Sequence, residues 1–137
     1  MLKLLLAVLT LAGAQSACTY KKVNTDPVPV VVPCPNTPTA ATVSYQRDVW
    51  PILKTNCRDA CHNAQTAASY GNFNADVFAQ VQYFSTTKPS PSMPYSWLLG
   101  NIRHEPGYVN MPVGGSKLSD CDIATIQAWV DANTPNN

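Results

Sequence analysis

Charge is scarce in this chain. Lys and Arg number 9 and Asp and Glu number 8 in 137 residues, 12% in all, about half the usual share. The formal net charge is +1. That excludes a basic surface of the kind that holds nucleic-acid phosphates and a long acidic or basic tail. Histidine is rarer still. Only His62 and His104 are present, and no nucleophile–base pair is visible beside either. Past the N-terminal stretch no apolar run is long enough to span a bilayer. No alternating pattern argues for a strand. What the chain does have is proline, 12 residues, and cysteine, 5 residues. In an exported protein an odd cysteine count leaves one thiol for some other chemistry.

The N-terminus directs export. Lys3 gives a positive start, and Leu4 to Ala14 is almost wholly apolar. Such a run spans roughly 16 Å as a helix, short of the ~30 Å of a bilayer core, and has the form of a signal peptide. Gln15–Ser16–Ala17–Cys18 follows and resembles a bacterial lipoprotein processing site. The resemblance implies a signal peptide over residues 1–17 and a lipid on Cys18, which would anchor the protein to a membrane facing the periplasm or cell surface. Gln15 stands where such sites carry an apolar residue, and ordinary cleavage after Ala14 or Ala17 is the alternative. Export by either route permits disulfides.

Residues 18–42 read as a linker. Pro27, Pro29, Pro33, Pro35 and Pro38 fall within it. Proline fixes φ and removes backbone donors, so an extended spacer of about 3.1 Å per residue is expected. A plain unstructured arm is the alternative. Cys34 suggests that the arm is pinned somewhere.

The folded domain is expected over residues 43–137, all-α, with long loops. Its first helix leads into Cys57, with Val49, Ile52 and Leu53 at helical spacing and Trp50 beside them. Pro51 is tolerated in a first turn, which makes Asp48 the N-cap; a kinked start at Ser44 is the alternative. A second helix is expected over Ala75–Phe84 and a third over Tyr95–Arg103. The last begins at Ser119, where Asp122 completes a capping box. Ile123, Ile126, Trp129 and Val130 form its apolar stripe, and Pro135 lies beyond its end.

The chemistry concentrates in Cys57–Arg58–Asp59–Ala60–Cys61–His62. Two thiols followed at once by histidine is the arrangement of covalent haem attachment. Each thiol adds to a haem vinyl group, and the histidine lies under the iron. Three residues separate the cysteines here, where two are usual. At i and i+4 they still share one helix face. A Cys57–Cys61 disulfide would need a closer approach than that spacing allows. In a zinc site, adjacent Cys61 and His62 would point apart on a helix. For a sixth iron ligand the candidates are Met93, Met111 and His104. Met111 sits in a Pro/Gly-rich segment that can present a thioether, and a His/Met pair raises the reduction potential. Met93 reads as a core filler, and His104 as a surface loop residue.

Residues 43–137 resemble a small class I c-type cytochrome domain of the kind found in exported bacterial lipoproteins. The matching stretches are VSYQRDVWPILKTNC–RDACH and NMPVGG–KLSDCDIATIQAWVDA. The resemblance implies one covalent haem c per chain on Cys57 and Cys61, with His62 proximal and Met111 distal. It also implies that the first and last helices pack together, Trp50, Ile52 and Leu53 near Ile126, Trp129 and Val130. With two cysteines on haem and Cys18 on lipid, Cys34 and Cys121 remain, and a disulfide between them is expected; two buried free thiols is the alternative. The resulting expectation is a carrier of single electrons between redox partner proteins. The alternatives are an open iron site serving as peroxidase or small-ligand sensor, with His104 and Arg103 as distal polar groups, and a non-haem interaction module.

Overall fold

Pro51 governs how the first helix is wound. In the computed structural model, which describes residues 34–137, helix α1 runs through three consecutive stretches. Tyr45–Val49 and Lys54–Arg58 are π turns on either side of an α-helical Trp50–Leu53. Proline has no N–H to give, and its ring crowds the carbonyl four residues back. Wide turns relieve this. Val49 N donates to Ser44 O, Trp50 N to Tyr45 O, and Asp59 N to Lys54 O, each five residues back.

With that relief the helix starts a turn earlier than Asp48. Ser44 is the N-cap, in extended backbone, and its hydroxyl accepts from Arg47 N at 3.3 Å. Asp48 reaches back instead, its Oδ2 accepting from Ser44 N at 2.8 Å.

Three shorter helices follow: α2 over Phe78–Thr86, α3 over Trp97–Arg103 and α4 over Asp120–Asp131. A 3-10 turn at Ala67–Ser69 precedes α2. Ser96 caps α3 by accepting from Leu99 N. Ser119 caps α4 as its sequence predicts. Its hydroxyl accepts from Asp122 N at 3.0 Å and donates to the Asp122 carboxylate at 2.8 Å. The described residues form helices joined by long loops, with no strand, an all-α architecture. None of these helices is long and apolar enough to cross a membrane. The expected signal peptide, the expected lipidation site Cys18 and the expected linker up to residue 33 lie outside the described residues.

The core is built where α1 meets α4. Val49 and Leu53 of α1 and Ile126 and Trp129 of α4 are fully buried, joined by Val81 of α2 and Ile102 of α3. Trp50, Ile52 and Val130 pack at its edge, half-buried. Tyr45, which the helical spacing did not single out, is its aromatic hinge. Its ring lies 5.3 Å from Trp129 and 4.8 Å, edge-on, from Phe78. Burial pushes its phenol up to about 12.

Two long-range ties close this side. Asn137 accepts from Tyr45 N through its side chain (2.9 Å) and donates to Val43 O, while its main-chain oxygen takes Gln46 N and the Ser44 hydroxyl. Amides at the start of α1, which lack helical partners, are thereby satisfied. Cys34 is bonded to Cys121 across 87 residues of sequence. That bond, with Arg47 donating to Thr42 O, sets the last part of the linker against the domain.

Candidate functional site

The wide winding of α1 continues into the cysteine motif. Cys57 O accepts from Cys61 N at 3.3 Å and from His62 N at 2.9 Å. The chain therefore makes one broad turn between the two cysteines, and the extra residue of the motif is taken up by a bond reaching five residues. Both thiols are free, Cys57 buried and Cys61 half-buried. Burial pushes the Cys57 thiol up to about 11, with Cys61 adding to the effect, so it is protonated at neutral pH.

The residues between the cysteines brace the turn. Arg58 donates through Nε to Asp76 and through a terminal nitrogen to Asp59 (2.9 Å). Asp76 also accepts from Ala64 N at 3.2 Å. The hydrogen bond from Arg58 holds the Asp76 carboxyl below its ordinary range. Asn63 donates to Arg58 O, and Thr66 to Cys61 O at 2.6 Å.

His62 is buried and held at three points. Its N–H bonds Cys57 O, its carbonyl accepts from Ala75 N at 2.7 Å, and its Nδ1 lies 3.1 Å from Phe73 O. A carbonyl can only accept, so Nδ1 carries the proton and Nε2 is left with a lone pair. Metal-ligating histidines are oriented by such a contact. Burial lowers the His62 pKa against the opposing pull of main-chain groups at Phe73 and Tyr70, which keeps the ring neutral near pH 7. Phe73 and Tyr70 also flank the ring, at 5.0 and 6.2 Å between centroids.

Cys57, Cys61, His62 and Met111 line one cavity of about 650 Å³, within the usual range for small-molecule sites. Its walls are otherwise largely apolar: Phe73, Phe84, Leu98, Ile102, Val109 and Val113, with Tyr70 and Tyr83. Asn56 and Asn101 are the polar side chains among them. Met111 comes from the loop after α3, its N–H donating to Asn101 O at 3.1 Å.

The other candidates lie elsewhere. Met93 is half-buried beside Gly107 and does not line the cavity. Neither His104 nor Arg103 faces it as a distal group would. His104 Nε2 is engaged 3.0 Å away on Met111 O. Arg103 turns toward α4, bonding Gln127 at 2.9 Å and stacking over Tyr95. Among the described residues no three His, Cys, Asp or Glu side chains gather as a zinc site would need.

Sequence reasoning missed Phe73, Tyr70 and Asn101. The available signal was Gly71–Asn72, both at positive φ, a turn between two aromatics that returns Phe73 O to the His62 ring. No protein family, curated protein or solved structure matches this chain.

The donor set fits a covalent haem. Two free thiols one broad turn apart, a neutral imidazole with an available nitrogen, and a thioether share one apolar cavity.

Proposed function

We propose that this chain is an exported c-type cytochrome that carries single electrons between redox partners, tethered through Cys18. Cys57 and Cys61 would hold one haem c through thioethers, His62 would be its proximal ligand and Met111 its distal one. When bound, the haem supplies reversible one-electron chemistry. The observation that carries the reading is the meeting of Cys57, Cys61, His62 and Met111 on one apolar cavity.

The protein's own residues do the rest. Phe73 O and the burial of His62 keep Nε2 deprotonated and oriented. The Arg58–Asp76 brace holds the turn that separates the thiols. The apolar walls would lower the dielectric around a bound haem. A Met111 ligand favours an electron carrier over an open iron site, and the displacement of His104 and Arg103 from the cavity supports the same choice.

The absorption spectrum of the purified exported protein is the test. A sharp c-type α band on reduction is expected, retained after acetone extraction because the haem is covalent. A weak far-red band in the oxidised form is expected from thioether ligation, and its loss in Met111→Ala would assign the ligand. Absence of any haem absorbance from cells able to attach haem would end the proposal.

A further inference from the structure

Met111 reaches the cavity from an exposed loop with no regular structure of its own, so something must fix it there. Both of its main-chain polar groups are taken, and both by the C-terminal end of α3. Its N–H bonds Asn101 O at 3.1 Å, and its carbonyl oxygen lies 3.0 Å from His104 Nε2. A carbonyl can only accept, so Nε2 donates. His104 makes this reach from the C-cap of α3 in left-handed backbone, φ 57° and ψ 41°, a conformation that costs a residue with a Cβ and comes freely to glycine. The strained backbone turns the ring back over the returning loop.

Other ties act on the loop at different places. Tyr108 OH donates to Tyr95 O at 2.6 Å and accepts from Tyr95 N at 3.0 Å. Tyr108 N bonds Glu105 O, and Asn101 Oδ1 takes Val109 N. These anchor the loop before it reaches residue 111. The His104 ring alone holds the Met111 carbonyl, next to the side chain that faces the cavity.

We infer that His104 is a positioning residue for Met111, its ring clamping the Met111 peptide so that the thioether stays presented to the cavity. The inference rests on the cytochrome reading for its purpose, while the clamp itself is a property of this chain. It replaces the roles open to His104 from sequence, iron ligand, distal polar group and surface loop residue, with another.

The test uses the full exported protein with His104→Gly and, separately, His104→Asn. Glycine removes the ring and suits the left-handed backbone, so folding is preserved; asparagine tolerates that backbone but is too short to reach. Amide hydrogen exchange by NMR reads the clamp whether or not haem is present. The Met111 amide should exchange about tenfold faster in both variants, as expected for losing one neighbouring hydrogen bond, while the Tyr108 amide and the melting temperature hold. The far-red band of the oxidised protein should weaken in parallel and haem content should stay the same. An unchanged Met111 amide overturns the clamp, and if the band nonetheless changes, His104 reaches the iron itself. Faster exchange with an intact band overturns the positioning role. A protein with no haem band at all overturns the electron-carrier reading, and exchange then decides the clamp on its own.

Discussion

Two regions of this domain are built from similar residues and finish differently. Where α1 meets α4, apolar side chains fill the space they enclose, and Val49, Leu53, Ile126 and Trp129 have no exposure left. Around the cysteine motif, equally apolar side chains enclose a space of about 650 Å³ instead, and Tyr70, Tyr83, Val109 and Val113 on its walls stay exposed. The first region is closed by its own packing. The second lines a cavity, with hydrogen bonds fixing the frame: Phe73 O on His62, Asp76 on Arg58, Asn101 and His104 on Met111. Packing energy gathers on one side and an open cavity lies on the other, since full packing would leave no such space.

The largest effect should come from breaking the closed side. Trp129→Ala removes a fully buried ring that contacts Tyr45 and Phe78 and should cost about 3–5 kcal/mol in urea unfolding. A loss under about 1 kcal/mol would mean that this region is not the packed one.

An intermediate effect is expected on α3, whose Leu98 and Ile102 belong to both the core and the cavity wall. Gly100 of α3 lies directly beneath the Tyr108 ring, which an added Cβ would strike. Gly100→Ala should therefore cost about 1–3 kcal/mol by overpacking and loosen the loop that carries Met111. Unfolding and the far-red band together would register it; stability unchanged with the band intact would show that Tyr108 is free to move aside.

The smallest effect belongs to the frame. Asp76 is exposed and paired with Arg58, and its folded pKa lies below the ordinary 3.8. Its contribution is fully present above that unfolded value and is lost as pH falls below it, through the folded pKa. Asp76→Asn should thus be slightly less stable than the parent at pH 7, and the gap should close as pH falls below 3.8. A gap that persisted in acid would show that the ion pair is not its source.

Legibility in the sequence followed the range of the forces involved. Ser119 with Asp122 could be read as a cap because the partners sit three residues apart. The stripe on α4 and the end of α1 at the cysteine motif were legible for the same reason. Pro51 misled locally: the first-turn rule favoured Asp48 as N-cap, and a π turn five residues wide freed Ser44 to take that place. Tyr45 escaped notice because its burial comes from Trp129 and Phe78, distant in sequence. Asn137 was invisible as a cap on α1 because its partners lie 92 to 94 residues away.

By itself, then, the sequence determined the all-helical class, the Ser119 cap of α4 and the adjacency of two thiols and an imidazole at residues 57–62, since each is a matter of periodicity or neighbouring chemistry. Tertiary structure alone decided that His104 holds a peptide rather than facing the cavity, and that Phe73 O selects the His62 tautomer. Those outcomes depend on where a loop returns to the helices, and a hydrogen bond of 3 Å between distant residues leaves no periodic trace in the chain.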